Sequence, residues 1–380
     1  MNIQSRLPDV GTSIFTIMSK MALDYGAINL SQGFPDFSID RKIIDLVTKY
    51  MVEDHNQYAP MQGMPVFRRV IANVIKDSFN NSLNPETEIT ITSGATEGIY
   101  AVISAFISPG DEVLVFDPSY DSYNPAIRLN GGVPVHINLE YPDFSINWDT
   151  VRAKLTRRTR MIVINTPHNP SGSVLMEHDL KELESIALKH DILVLSDEVY
   201  ERLIFDDITH QSVLRYPGLS SQSLAVFSFG KTFHATGWKC GYVAGPAYLM
   251  QEVRKTHQFI VFSVNTPVQL ALAEYMQDAR HYQMLGTFYQ EKRDFFLEQM
   301  KGSSFEPLSC HGSYFQVLSY KNISQKSEVE MAEELTKKFK VAAIPLSVFY
   351  QDKSDHRVLR FCFAKKEETL EKACSILRTI

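Results

Sequence analysis

The sequence predicts an α/β protein built on a mostly parallel sheet, and three observations carry that expectation. Apolar runs rich in β-branched residues recur through the middle of the chain, helical patterns lie between several of them, and the runs end in polar residues. The runs are Ile89-Thr90-Ile91-Thr92, Glu112 to Phe116, Met161 to Asn165, Ile192 to Ser196, Leu224 to Ser228 and Gly241 to Ala244. Helical patterns cover roughly 96–107, 177–190 and 247–260. Continuous apolar strands alternating with helices fit a sheet buried on both faces. Ligands of such sheets collect at the carboxyl ends of the strands.

The two ends of the chain read differently. Residues 1 to about 40 are loop-rich, and 289–380 mix helices with short strands such as Tyr314 to Leu318 and Val358 to Phe363. A large domain over 41–288 is therefore expected, with a smaller α+β domain assembled from 1–40 and 289–380. With 380 residues the chain can bury a large core. Its net charge of −6 gives no electrostatic reason to expect nucleic acid or an acidic membrane as partner. Cys240, Cys310, Cys362 and Cys374 form no C-x-x-C pair and show no metal-ligand spacing, so they read as free thiols in a reducing compartment. No signal-peptide pattern and no apolar run of spanning length occurs, so a cytoplasmic location is expected.

Four segments carry chemistry. Lys231 lies in Ser228-Phe229-Gly230-Lys231-Thr232, among small and hydroxyl residues, directly after a buried run. A lysine so placed can lose its proton by partial desolvation and attack an aldehyde as an amine; the plain alternative is a surface lysine. Ser93-Gly94-Ala95-Thr96-Glu97-Gly98 opens a helix, where small residues let backbone N–H groups approach an anion. It could equally be an ordinary Ser/Thr cap. In Asn165-Thr166-Pro167-His168-Asn169-Pro170 the prolines fix a rigid loop that can present the Asn169 amide. Asp197 ends the run Ile192 to Ser196, where burying an acid is costly unless it meets a cation. A protonated heterocyclic nitrogen would serve, and so would a neighbouring Lys or Arg. Together an amine, an anion cradle, an acid and polar donors match the needs of pyridoxal 5'-phosphate.

With these segments in order, the chain resembles the class I and II aminotransferases, the fold-type I pyridoxal-phosphate enzymes. The likeness runs from Asn29-Leu30-Ser31-Gln32-Gly33-Phe34-Pro35 to Leu359-Arg360-Phe361-Cys362. It implies that Lys231 bonds the cofactor's aldehyde and acts as general base. It implies that Asp197 pairs with the pyridinium nitrogen, and that Asn169 and Tyr200 hold the phenolic oxygen. Gly94, Ala95, Thr96, Ser228 and Lys239 would hold the phosphate, although arginine is more usual at the last position. Tyr120 would stack on the ring, a role Tyr123 could equally fill. Arg360 and Gly33 would receive the substrate carboxylate. Tyr58 would reach the neighbouring subunit's phosphate, which implies a homodimer with shared active sites.

Phe15 and Phe262 lie in segments that line the side-chain pocket in such enzymes. The chain is especially similar to the branch holding methionine aminotransferases and kynurenine/glutamine aminotransferases, and Phe262-Ser263-Val264-Asn265-Thr266-Pro267 looks closest to the methionine-preferring members. Ping-pong transfer of the amino group from methionine or another bulky apolar or aromatic amino acid to a 2-oxo acid is therefore expected. The rival within the class is a kynurenine/glutamine aminotransferase with β-lyase activity on cysteine conjugates. A cofactor-binding regulator would need a DNA-binding segment, and the sequence offers no basic patch for one.

Overall fold

Valine, isoleucine and leucine alternate between two buried faces through the centre of the molecule, and that alternation sets its layers. The computed structural model describes residues 4–380. Seven strands form the main sheet: β1 (Ile89–Thr92), β2 (Glu112–Asp117), β3 (Val133–Asn138), β4 (Thr159–Asn165), β5 (Leu193–Asp197), β6 (Ser223–Ser228) and β7 (Gly241–Ala244). Their order is β1-β7-β6-β5-β4-β2-β3. Val113, Val115, Met161 and Val163 face one core with Ile99 and Val102 of helix Gly94–Phe106 and Val253 of helix Ala247–Ile260. Leu114, Phe116, Ile162 and Ile164 point the other way, into a core shared with Leu180 and Leu183 of helix Glu177–His190. The period-2 geometry of a strand thus gives each sheet face its own helix layer.

Only β7 is reversed. It pairs antiparallel with both β1 and β6, whereas the remaining neighbours are parallel. Because β7 starts where its partners end, Gly241 stands opposite both Thr92 and Ser228. Asn165 stands opposite Asp197 in the same register. The last residues of β1, β4, β5 and β6 and the first of β7 therefore share one edge of the sheet.

A second sheet of four antiparallel strands has the order Ile344–Pro345, Val358–Cys362, Phe315–Ser319, Glu306–Pro307. It holds Arg360 between Val317 and Ile344. The two ends of the chain meet where Ile28–Asn29 pairs in parallel with Val341–Ala342.

Three expectations need correction. The loop-rich reading of the first 40 residues misses the 11-residue helix Ile14–Asp24, whose cap Ser13 accepts a hydrogen bond from the Thr16 N–H at 3.3 Å. The expected run of strands omits β3, whose residues are largely exposed or half-buried and so lack the continuous apolar signal. The short strand expected from Tyr314 begins one residue later, at Phe315, which leaves Tyr314 just outside the sheet.

Candidate active site

A cavity of about 180 Å³ opens at the shared strand edge. After β1 the chain turns at Gly94 (φ 74°) into a 13-residue helix, and Gly94, Ala95 and Thr96 line one wall. Their N–H groups are among those that a helix start leaves without intrahelical partners. Ser228 and Lys239 face the same wall, and a Cβ added at Gly94 would meet Lys239 Nζ at 3.3 Å. A Cβ at Gly241 would lie 2.5 Å from the Phe227 carbonyl and 3.1 Å from Ala95 N, so only glycine lets β7 pass so close to this turn.

Asp197 lies at the floor, 4% exposed. Neither a lysine nor an arginine forms an ion pair with it among the described residues. Tyr123 Oη instead donates to its Oδ2 at 2.6 Å, and the Val199 N–H to Oδ1 at 3.3 Å. Burial pushes the Asp197 carboxyl up to about 6, against the pull of the Tyr123 hydrogen bond. The choice between the two tyrosines is thereby divided: Tyr120 lines the cavity, and Tyr123 is buried beneath it. Tyr200 lines the cavity too, its ring edge-on to Tyr314 at 5.1 Å, and burial raises its phenol pKa.

Lys231 follows β6 on a single helical turn, Phe229–Thr232. Its side chain lines the cavity, and enclosure lowers the ammonium pKa to about 8. The cations Arg360 and Lys239 lower the value further, and the Asp197 carboxylate opposes them. Nζ donates to Tyr314 Oη at 2.9 Å and to the Gly33 carbonyl at 3.3 Å, while Tyr314 Oη itself donates to Gly33 O.

Arg360 is fully buried beside this wall. Its Nη1 donates to Asn169 Oδ1 at 2.7 Å and its Nη2 to the Ser31 carbonyl at 2.9 Å, while Nε has no partner among the described residues. Phe315, Phe15 and Phe349 surround the guanidinium at 3.8, 5.3 and 5.9 Å. Desolvation lowers its pKa to about 10, so it stays cationic at neutral pH. Because Asn169 Oδ1 accepts from Arg360, its Nδ2 is left as the donor on the cavity side.

The structure therefore brings together Gly94, Ala95, Thr96, Tyr120, Asn169, Asp197, Tyr200, Ser228, Lys231 and Lys239, with Gly33, Arg360 and Phe15 adjoining. Tyr58 and Phe262 lie elsewhere: they pack edge-on against each other at 5.4 Å and are 82% and 50% exposed. Sequence reasoning missed the parts played by Tyr123 and Tyr314. A tyrosine beside a turn or at the head of an apolar run carries no mark of its distant partner.

The fold and the cavity define a class. The chain belongs to the aminotransferases of class I and II, whose family model matches residues 25–377. It is a pyridoxal-phosphate-dependent aminotransferase of fold type I. Among individual proteins, it is 46% identical to the methionine aminotransferase of Escherichia coli (strain K12) over 378 residues, 99% of this chain and 98% of that one. An E. coli crystal structure, reported with reactivity that identifies a methionine aminotransferase function, superposes with a TM-score of 0.98 at 46% identity and covers both chains fully. The kynurenine–oxoglutarate transaminase of Dictyostelium discoideum is 32% identical, covering 96% of this chain and 93% of its own. No helix among the described residues is long and apolar enough to cross a membrane.

Proposed function

We propose that this enzyme moves the amino group of methionine, and of other bulky apolar or aromatic L-amino acids, to a 2-oxo acid by a ping-pong mechanism. The likeness to the E. coli methionine aminotransferase supports the donor. One observation of this structure carries the reading furthest. Arg360 is a buried cation with a free Nε and three phenylalanine rings around it. Such a group binds a carboxylate in a two-bond grip while the rings favour an apolar side chain. A second cavity, sharing Tyr120, is lined by Ile14, Ile17, Val348 and Phe349, and its Arg128 is already held by Asp9.

The residues fit pyridoxal phosphate. The free N–H groups at Gly94 to Thr96, with Ser228 and Lys239, form an anion cradle, and Gly241 keeps the approach open. Asp197 is a buried acid without a cationic ion-pair partner among the described residues, as a site for a ring nitrogen requires. When bound, the cofactor supplies an aldehyde that takes up the amino group and a ring that accepts electrons from the substrate's Cα. Tyr123 holds Asp197 in place and favours its ionised form. Asn169 Nδ2 and the Tyr200 hydroxyl act as donors to the phenolic oxygen. Arg360 fixes the substrate carboxylate, and with it the direction of the Cα–H bond relative to Lys231. Once its amine is free, Lys231 takes the Cα proton and returns it on the other side of the transfer.

The same reading divides the chain into a body over 41–288 and a second over 1–40 with 289–380. The pairing of Ile28–Asn29 with Val341–Ala342 supports it. It also includes a cytoplasmic homodimer, with Tyr58 completing the partner's phosphate site; the exposure of Tyr58 and Phe262 supports this. A panel of amino acids against several 2-oxo acids tests the substrate: methionine should give the highest kcat/KM among donors. The likeness to the kynurenine transaminase favours the second reading, and release of pyruvate and ammonia from a cysteine conjugate would support it over methionine transfer.

A further inference from the structure

We propose that Tyr314, with the Gly33 carbonyl, is the seat that receives the Lys231 amine after the substrate has replaced it on the cofactor, and so is a positioning residue for the proton transfer. The inference rests on the reading of Lys231 as the residue displaced by substrate.

The geometry is specific. Tyr314 Oη donates to Gly33 O, so the lone pairs of Oη face away from that bond and accept from Lys231 Nζ at 2.9 Å. Gly33 O accepts a second lysine N–H at 3.3 Å. Two acceptors thus hold one amine, and a phenylalanine at 314 would keep the ring but not the seat. The phenol is 0% exposed and packed edge-on against Tyr200 at 5.1 Å and Phe315 at 4.8 Å, so it cannot swing away. Burial holds it neutral, with its pKa well above the ordinary value. No water need enter to solvate the released amine. The seat also lies between two functional groups: Gly33 belongs to the loop that adjoins the substrate carboxylate site, and Tyr200 to the cofactor wall.

Where the substrate nitrogen takes the place of Lys231, the lysine N–C bond would break as the substrate's N–C bond forms; of the three protons of the substrate ammonium, one would stay on its nitrogen and two would complete the free lysine amine. The seat stabilises that free lysine. It does nothing for lysine while the covalent bond persists. Removing it should therefore shift the exchange back towards the lysine-bound form.

The test uses holoenzyme and the variant Tyr314→Phe with an α-methyl amino acid such as 2-methylmethionine, which displaces lysine but has no Cα proton to lose. Titration of the cofactor's visible band gives the displacement equilibrium without any turnover. Loss of one hydrogen bond predicts roughly three- to tenfold weaker displacement. Binding of a monocarboxylate that leaves lysine in place, followed by the same band, should be unchanged. Equal displacement by wild type and variant would overturn the proposal. So would an equal loss for the monocarboxylate, which marks a merely structural role. Lys231→Ala separates the underlying reading from this one: if it keeps the wild-type band, Lys231 is not the cofactor's lysine and the seat has no occupant.

Discussion

Replacing Arg360 by glutamine should damage catalysis in a way that depends on one group of the substrate. In the native protein the guanidinium is fully buried, gives one N–H each from Nη1 and Nη2 to Asn169 and Ser31, and keeps Nε–H and the second Nη N–H groups for a ligand. Its charge has no carboxylate partner within salt-bridge distance among the described residues, and the proposed counter-ion is the substrate's carboxylate. Taking one member from a buried ion pair costs about 3 to 5 kcal/mol. At about 1.4 kcal/mol per factor of ten, kcat/KM for methionine should fall roughly 10²- to 10⁴-fold. The control is 3-(methylthio)propylamine, which is methionine without its carboxylate. Wild type should use it poorly, and Arg360→Gln should lose far less on it than on methionine, the remaining loss being that of the hydrogen bond to Asn169. Steady-state rates for both donors under saturating 2-oxo acid complete the cycle, which isolates the Arg360–carboxylate term. An equal loss on the amine would refute the reasoning, because the arginine would then be acting on the cofactor wall through Asn169 and not on the substrate. Arg360→Lys keeps the charge but loses the fork, and should fall between the two.

Other perturbations have equally definite outcomes. Lys231→Ala should lose both the covalent absorption band and measurable turnover; retained turnover would remove Lys231 from its role. Tyr123→Phe takes from Asp197 its shortest hydrogen bond and should raise the carboxyl pKa above its present value of about 6. A hydrogen bond to a charged group contributes about 1.5 to 3 kcal/mol, so cofactor affinity by equilibrium dialysis should fall roughly 10- to 100-fold. Gly241→Ala forces a Cβ against the Phe227 carbonyl at 2.5 Å. Overpacking of this kind costs about 1 to 3 kcal/mol, which a lower melting temperature will show. For pH, Lys231 has a folded pKa of about 8 against an ordinary value of 10.5. Between those values the unfolded chain binds more protons, so stability rises with pH. The protein stripped of its cofactor should therefore gain stability from Lys231→Met at pH 7, and that gain should shrink from about pH 8 upward. A gain that grows with pH would contradict a desolvated lysine.

Much of this site could be read in the sequence because its parts lie at the ends of apolar strands. Parallel strands with helical crossovers bring those ends to one edge whatever lies between them. Asn165, Asp197 and Ser228 illustrate this, each standing at the last position of its strand and each in register with a neighbour. The reversal of β7 was harder to read, since a four-residue apolar strand has no direction in its pattern; yet it alone delivers Lys239 and Gly241 to the same edge. The N-terminal helix that carries Phe15 was hidden by its mixed face, although Ser13 offered a cap signal. Contacts across long separations were invisible. Tyr123 meets Asp197 from 74 residues away, and Tyr314 meets Lys231 from 83.

The most consequential of these distant contacts is between Arg360 and Asn169, 191 residues apart. Arg360 comes from the four-stranded sheet and Asn169 from the loop after β4. The arginine's hydrogen bond fixes the amide so that Nδ2 points to the cavity, which means the proposed substrate anchor also orients a group of the proposed cofactor site. A carboxylate drawn to Arg360 competes for the same guanidinium charge that holds Asn169. Substrate binding should then weaken the Arg360–Asn169 bond and alter the donor strength at the phenolic oxygen before any proton moves. Asn169→Asp makes the coupling measurable. It replaces a neutral acceptor with an anion that neutralises Arg360, so methionine should bind roughly tenfold or more weakly, by the differential interaction of a charged and a neutral partner. The carboxylate-free amine should be spared on the substrate side, and it should report only the change at the cofactor. If both donors lose affinity alike, the anchor and the cofactor wall are independent, and Asn169 serves the cofactor alone.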